Sequence, residues 1–320
     1  MLIVVLILCK SSLLFAQNPT AINQQVLESL IAFSEETYTD EFMLIQKNET
    51  LIHWKNPSCD APQFNTASMV KSWTGLVIGS LVDKGFIESV DDTVCTYLPN
   101  WEIGCREDIT IKQLLTMSAG YNRRPGASGI LAQQDMNEYV LNTEPDTLQD
   151  VRFSYSNESV QLLGLLIEEI TGMNANEAFI QHLFEPLGMD STQLGKDEAG
   201  NYMVFGGAKT TLQDASKVGL LMANKGMVDG KQMISREWIE QSTSTSDKAG
   251  YYGYLWWLDN NSENKNFAAM GDFGQLTILF PDLDLVYLRQ QTCNKEVSGN
   301  MPWMGPELLN LISATIQTDE

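Results

Sequence analysis

The sequence predicts an α/β fold of the α+β type, in which one antiparallel sheet is assembled from the two ends of the chain and a helical lobe is inserted between them. Three observations support this. Strand-like runs lie before residue 55 and after residue 250, helical patterns fill the region between them, and no repeat or low-complexity linker divides the chain. With 320 residues, 43% hydrophobic and 19% charged, the chain should fold as one large or two interleaved domains.

The first segment, residues 1–16, is predicted to be a cleaved signal peptide. Its apolar run is interrupted by Lys10 and ends in the small residue Ala16, just before Gln17. A membrane span would need about 18 uninterrupted apolar residues, so no stable insertion is expected after cleavage. An uncleaved anchor or a mis-set start is the alternative. The sequence therefore predicts an exported protein, periplasmic or secreted.

The remaining elements follow in order. A helical stretch near 21–36 precedes a hairpin with strands at 42–46 and 50–54, and residues 68–84 form a buried helix that Gly85 ends. Residues 86–204 show helices at 111–117, 136–141, 160–171 and 176–184 and are assigned to an all-helical domain. Residues 17–85 and 205–320 are assigned to the sheet domain. In its second part, a helix capped at Thr211 precedes strands at 251–258, 267–270, 275–280 and 283–289, and a last helix spans about 306–316.

The charge and the histidine count exclude several functions. A formal net charge of -21 repels phosphate backbones and anionic membranes, so we expect no nucleic-acid partner and no membrane docking. There are only two histidines, His53 in a strand-like run and His182 in a predicted surface helix. Both are interpreted as structural, so a His-based catalytic site or a multi-His metal site is not expected.

The cysteines are compatible with export. Removing the leader takes away Cys9 and leaves four cysteines, an even number that can form disulfides. Cys95 and Cys105 lie close together in a loop rich in turn residues, and Cys59 would then pair with Cys293 by elimination. Four free thiols are the alternative. None has the CxxC spacing of a zinc or redox site.

The first candidate for chemistry is the Ser68-x-x-Lys71 motif. Three residues are about one helical turn, so the hydroxyl and the amine share one face at the start of a buried helix. A lysine kept neutral by burial can take the proton of a serine and make it a nucleophile. The motif is weak alone, since a second copy occurs at Ser262-x-x-Lys265, but that copy lies in a polar loop.

Three further segments could complete such a site. The phenol of Tyr155 can pass a proton if nearby cations lower its pKa, and Asn157 can hydrogen-bond the lysine and a substrate amide. The plain alternative is a packed tyrosine at a capped helix start. Gly274 and Gln275 lie at a strand turn, where backbone can approach a ligand and an N–H can stabilise an oxyanion. Trp256, in the aromatic run 251–257, could line an apolar pocket or belong to the core.

Taken together, these residues resemble the serine hydrolases of the class C β-lactamase and penicillin-binding-protein superfamily, in particular the esterase and 6-aminohexanoate-dimer-hydrolase-like branch. The similarity covers nearly the whole mature chain and rests on segments in a fixed order: 64–71 (FNTASMVK), 109–120 (ITIKQLLTMSAG), 153–157 (FSYSN), 184–189 (FEPLGM), Gly206-Gly207 with 211–214 (TLQD), and 252–257 (YGYLWW). It implies a five-stranded antiparallel sheet with an all-helical domain, and a site in the cleft between them.

The resemblance also implies roles. Ser68 would be acylated, Lys71 and Tyr155 would share the acid and base work, and Asn157 would orient the substrate. The Ser68 N–H and a backbone N–H near Gln275 would form the oxyanion hole, and no metal or organic cofactor is implied.

One departure bears on the substrate, which we expect to be a small-molecule ester or amide. Asp272 stands where a cation is usual in such β-lactamases and D,D-peptidases, and it would repel a substrate carboxylate. Neutral substrates, or those with a cationic end, are therefore favoured. A β-lactamase or D,D-peptidase is the alternative enzyme. A catalytically silent binding protein is the alternative outside enzymes, and the sequence does not predict the oligomeric state.

Overall fold

A computed structural model describes residues 22–124, 126–293 and 305–316. The predicted signal peptide, 1–16, lies outside them. The helices are α1 Gln24–Glu36, α2 Val70–Asp83, α3 Glu102–Arg106, α4 Ile111–Leu115, α5 Met136–Leu141, α6 Asn157–Thr171, α7 Ala175–Phe179, α8 Glu185–Leu187, α9 Leu212–Ala223, α10 Arg236–Ser242 and α11 Pro306–Thr315. The strands are β1 Glu41–Gln46, β2 Glu49–Lys55, β3 Phe64–Asn65, β4 Lys209–Thr210, β5 Met227–Val228, β6 Lys231–Gln232, β7 Trp257–Asp259, β8 Asn266–Gly271, β9 Gln275–Phe280 and β10 Leu285–Gln290.

The main sheet is antiparallel and joins the two ends of the chain, as predicted. Its order is β2-β1-β10-β9-β8-β7, so the N-terminal strand β1 lies directly beside the last strand, β10. The β1–β2 hairpin turns on Lys47 and Asn48, whose φ values of 50° and 67° suit a two-residue turn of the primed type.

The sheet has six strands, so the expectation of five is wrong by one. The number five came from the resemblance, whereas the strand-like runs of the sequence were six. The run 251–258 supplies β7, a three-residue edge strand that pairs with β8 from Trp257 to Asp259. The predicted strand 251–258 is irregular before residue 257, because the backbone turns at Leu255, where φ is 63°. The N–H of Leu255 is donated to the carbonyl of Leu115 and not to a neighbouring strand.

Helices cover both faces of the sheet because alternate strand residues point to opposite sides. Phe42 and Leu44 of β1 join a cluster with residues of α1 and α11. Met43 and Ile45 face the other way, into a larger cluster that includes residues of α2 and α9. That second cluster continues into the helical region, so α2 is buried on nearly every side.

Within 86–204, the described residues form helices, turns and isolated bridges but no named strand, which agrees with a helical region between the two parts of the sheet. The boundaries at 85/86 and 204/205 stay predictions. None of the described helices combines the length and apolar character needed to cross a membrane.

Both predicted disulfides are present. Cys59 is bonded to Cys293, which joins the segment after β2 to the end of β10, and Cys95 is bonded to Cys105. Asp40 accepts the backbone N–H of Cys293 at 2.8 Å and so fixes the same segment from the other side. These cysteines and Asp40 are close enough to suggest a metal cluster, but the thiols are consumed by the disulfide.

The two histidines differ in environment. His53 is exposed on β2 and lies 2.6 Å from a carboxylate oxygen of Glu41. His182 lies in a π-helical turn, 180–184, and is only 1% exposed, which corrects the prediction of a surface position. Its Nδ1 lies 2.9 Å from Lys84 Nζ and 3.2 Å from Ser80 Oγ.

Mild acid is expected to destabilise the protein through His182. Burial, together with Lys84, lowers the pKa of this imidazole below its ordinary 6.5 in the folded state. The unfolded chain then binds the proton more readily, so the free energy of unfolding falls as the pH drops below about 6.5. Urea unfolding at several pH values should show this slope, and His182→Gln should flatten it more than His53→Gln does. If the free energy of unfolding changes with pH by the same slope in wild type, His182→Gln and His53→Gln, this role of His182 is contradicted.

Candidate active site

Ser68 lies on a tight turn that follows strand β3. The side chain of Asn65 accepts the N–H of Ala67 at 2.8 Å, and Ala67 has a φ of 45°, an uncommon value for a residue other than glycine. Ser68 is in a single 3-10 turn, residues 67–69, and the α-helix begins at Val70, two residues later than predicted. The result is a half-exposed hydroxyl at a helix entrance.

The end of strand β8 supports this turn. Gly271 packs so tightly against it that a Cβ at this position would lie 2.3 Å from the carbonyl oxygen of Thr66. Glycine is therefore required for close approach here, as the sequence suggested for this segment. The contact brings the 271–275 turn beside Ser68.

Lys71 is held at the centre of the site. Its side chain is 2% exposed, and its Nζ lies 3.1 Å from Ser68 Oγ, 2.8 Å from Asn157 Oδ1 and 2.5 Å from the carbonyl oxygen of Phe205. Burial, helped by the charge of Arg123, lowers the pKa of Lys71 to about 7. A substantial fraction is therefore neutral near neutral pH and able to accept a proton from the serine.

Tyr155 lies close to both members of this pair. Ser68 is near enough to the phenol to lower its pKa, and the Lys71 Nζ lies 5.1 Å from the centre of its ring. Burial raises the pKa of Tyr155 to about 12 and outweighs the effects of Ser68 and of the charge of Arg123, both of which lower it. The condition named from the sequence, a pKa lowered by nearby cations, is therefore not met. The site pairs a lysine shifted towards neutrality with a phenol that keeps its proton.

Asn157 is positioned by the start of α6. The hydroxyl of Ser156 accepts the N–H of Ser159 at 3.3 Å and caps the helix, so the plain reading of this segment as a helix start is also correct. The cap leaves the Asn157 side chain directed at Lys71.

The 272–274 turn forms the opposite wall of the site. Asp272 is exposed and faces the cleft, and Gln275 lines it although its side chain is 2% exposed. Gly274 has a φ of 76° and is buried, and its carbonyl accepts a 2.6 Å hydrogen bond from the guanidinium of Arg289. Gly274 therefore shapes the turn from behind, while Asp272 and Gln275 reach the cleft.

Trp256 does not belong to the site, which corrects its assignment. It is fully buried and packs edge-on against Phe267, with 5.5 Å between ring centres. The next residue, Trp257, instead stacks on the ring of Tyr155 at 5.6 Å. Two adjacent tryptophans therefore lie in different surroundings, Trp256 in the core and Trp257 against the tyrosine of the site.

A cleft of about 510 Å³ opens over Ser68. Its charged lining residues are Asp272 and Arg123, and the remainder is polar or apolar: Asn65, Ala67, Ser68, Leu131, Asn157, Met203, Phe205, Gly206, Gly207, Phe273, Gln275, Gln291 and Thr292. Sequence reasoning missed Arg123, which lies in a loop without periodic pattern and offered no signal. The contact from the carbonyl of Phe205 was missed because every residue has a backbone carbonyl, so the residue type gives no sign of it.

The second Ser-x-x-Lys copy forms no such arrangement. The Ser262 hydroxyl donates to the carbonyl of Asn264 at 2.7 Å, and Lys265 is exposed. Neither histidine is near the cleft lining. In the described part of the chain, the lysine in contact with a serine hydroxyl is therefore Lys71.

The fold and this site define a class: a serine hydrolase of the amidase and esterase type built on the fold of β-lactamases and penicillin-binding proteins. The family model described as Beta-lactamase matches residues 52–298. The chain belongs to the Beta-lactamase family.

Similar proteins agree with this assignment. A curated relative, the 6-aminohexanoate-dimer hydrolase of Paenarthrobacter ureafaciens, is 24% identical in an alignment 288 positions long, which covers 80% of this chain and 73% of that protein. Among solved structures, a protein of Bacillus anthracis assigned as a 6-aminohexanoate-dimer hydrolase has a TM-score of 0.72 at 20% identity, covering 89% of this chain and 80% of the other. A penicillin binding protein from Bacillus halodurans has a TM-score of 0.66 at 17% identity, covering 81% and 94%.

Proposed function

We propose that the protein is an exported hydrolase that cleaves small esters or amides through an acyl-enzyme formed on Ser68. The observation that carries the proposal is the contact between Ser68 Oγ and a buried Lys71 whose pKa is lowered to about 7. Such a lysine supplies a base within hydrogen-bond reach of the nucleophile, without a histidine.

The proposed reaction has two halves. Neutral Lys71 takes the Ser68 proton as Oγ attacks the substrate carbonyl carbon, and the negative charge forms on the carbonyl oxygen. The Ser68 N–H and a backbone N–H near Gln275 would stabilise this oxyanion. Tyr155 would donate its proton to the leaving oxygen or nitrogen as that bond breaks, and would regain one from Lys71. Water then attacks the acyl-enzyme and loses a proton to Lys71. As the bond between the acyl carbon and Ser68 Oγ breaks, Lys71 returns that proton to Oγ, and the acid and free Ser68 are released.

A fluorophosphonate probe tests the nucleophile. Intact mass spectrometry of the folded wild-type protein should show one added phosphonyl group, and Ser68→Ala should show none. Ser262→Ala is the matched control, because it removes the serine of the other Ser-x-x-Lys copy, and it should label like wild type. An unlabelled wild type, or equal labelling of Ser68→Ala, would refute the acyl-enzyme and favour a silent binding protein of the same fold.

The pH dependence of hydrolysis should report the lysine. Because only neutral Lys71 can accept the serine proton, kcat/KM for p-nitrophenyl acetate should rise with pH through about 7 and then level off. The rate of Ser68→Ala, subtracted at each pH, removes spontaneous hydrolysis. A profile that is flat between about pH 6 and pH 8 would exclude Lys71 as the base.

Asp272 supports a preference within this class. Its carboxylate faces the cleft and repels a substrate carboxylate placed beside it, so neutral esters or amides, or those with a cationic end, are favoured on that side. The alternative, a β-lactamase or D,D-peptidase, is supported by the family match and by Arg123, which brings a cation to the same cleft. Strong turnover of nitrocefin without turnover of p-nitrophenyl acetate would establish the alternative.

Export is supported by the two disulfides, which form in oxidising compartments. Expression of the full chain in a bacterium, followed by fractionation and N-terminal sequencing, would test it. A mature N-terminus near Gln17 outside the cytoplasm is expected, and an intact leader in the cytoplasm would refute export.

A further inference from the structure

A second cavity, of about 470 Å³, adjoins the cleft that contains Ser68. The two share Asn65, Met203 and Gly207, which lie on the border between them. The rest of the second cavity is lined by Asn176, Gln193, Leu194, Gly195, Lys196, Tyr202 and Lys209. We call it the lysine subsite.

The charge of the lysine subsite is opposite to that of the protein. The chain has 41 acidic and 20 basic residues, yet this lining contains Lys196 and Lys209 and no Asp or Glu. No carboxylate among the residues that the structure describes forms an ion pair with either of them. Both lysines are exposed, so two ammonium groups at the rim of a cavity that adjoins the Ser68 cleft are available to a ligand.

The backbone holds both lysines in place. Lys209 lies on β4, which pairs with Asn65 of β3, and its N–H and carbonyl are bonded to Gln193 at 2.9 and 3.0 Å. Lys196 is bridged to Tyr202, and its Nζ lies 4.3 Å from the centre of that ring. A cation over an aromatic face is restrained while its other sides remain free to bind an anion.

We propose that the lysine subsite binds an anionic group of the substrate, so that the hydrolase acts on esters or amides that carry a carboxylate at one end. This inference rests on the proposed function and names the substrate class of the same site. Because Asn65, Met203 and Gly207 line both cavities, one small molecule can extend from the Ser68 cleft across this border to the lysines. Asp272 lines the Ser68 cleft but not the lysine subsite, so a carboxylate bound there meets attraction and not repulsion.

Matched substrates test the inference. The mono-p-nitrophenyl ester of glutarate carries a carboxylate in the acyl half, and its methyl ester is the neutral counterpart. 3-Acetoxybenzoate carries the carboxylate in the leaving group, and methyl 3-acetoxybenzoate is its neutral counterpart. Wild type should prefer the charged member of at least one pair, and the pair that shows the preference identifies which half of the substrate enters the lysine subsite.

Variants locate the source of the preference. The double variant Lys196→Met/Lys209→Met should lower kcat/KM for the preferred charged substrate about tenfold, through KM, and leave its neutral counterpart unchanged. Lys231→Met/Lys265→Met removes the same charge from exposed positions elsewhere and should change neither. The inference is overturned if the preference for the charged substrate persists in Lys196→Met/Lys209→Met and is lost in Arg123→Met. It is also overturned if wild type shows no preference for a charged substrate.

A binding measurement separates this inference from the proposed function. Isothermal titration calorimetry with glutarate needs no turnover, so it applies even if Ser68 does not react. Binding to wild type that is lost in Lys196→Met/Lys209→Met supports the lysine subsite. Neutral-ester turnover and fluorophosphonate labelling with no glutarate binding would refute the subsite and leave the proposed function standing.

Discussion

Replacing Lys71 by methionine is expected to lower kcat/KM for p-nitrophenyl acetate about 10³-fold, the usual contribution of a positioned general base. Methionine keeps much of the buried volume but removes the Nζ atom, which contacts Ser68 Oγ, Asn157 Oδ1 and the Phe205 carbonyl at once. The variant should also be more stable against unfolding than wild type at acidic pH, since it no longer buries an ammonium group. Steady-state kinetics with p-nitrophenyl acetate measure the first effect, and thermal unfolding at acidic pH measures the second.

Lys265→Met is the matched control for this loss. It removes the lysine of the second Ser-x-x-Lys copy, which is exposed and has no serine partner in the site, and it should keep wild-type activity. If Lys71→Met stays within tenfold of wild type while remaining folded, another group must be the base, and the proposed mechanism fails.

Removing the Cys59–Cys293 disulfide is expected to have the largest effect on stability. The bridge closes a loop with a sequence separation of 234 residues, whereas Cys95–Cys105 closes one of 10. The chain-entropy model gives a loss of about 5 kcal/mol in the free energy of unfolding for the long loop and about 3 kcal/mol for the short one. Guanidinium unfolding of the two double Cys→Ser variants measures the difference.

The short bridge serves as the internal control for the long one. Both variants lose two cysteines, so a difference between them reflects the loop that is closed and not the chemistry of the thiols. Equal losses would mean that the unfolded chain is not restrained by the long loop, or that the native contacts around Cys293 supply the stability.

The sequence predicted those parts of the molecule that local chemistry determines. The β1–β2 hairpin depends on residues that accept positive φ at its turn, and the first turn of a helix brings Ser68 and Lys71 together whatever surrounds it. A single antiparallel sheet joining the two ends of the chain followed from the strand-like runs at those ends. These features need no knowledge of distant packing.

The features that sequence reasoning missed depend on what packs against a residue. The pKa of Tyr155 is raised because other segments bury its phenol, and a pattern of residues gives no measure of that burial. His182 is buried by the same kind of long-range contact. Arg123 reaches the cleft from an irregular loop, and the aromatic run 251–257 does not show which of its rings is buried in the core, as Trp256 is. In each case the property depends on contacts with residues far away in the chain, and the pattern of residues does not give those contacts.

The position of β1 between β2 and β10 has a consequence for the order of events during synthesis. The apolar residues of β1, among them Phe42 and Leu44, leave the ribosome long before the strand that covers their hydrogen-bonding edge has been made. Pairing β1 with β10 closes most of the chain into one loop, and such distant contacts form slowly. Until its last strands have been made, the N-terminal hairpin therefore presents an open strand edge that favours aggregation.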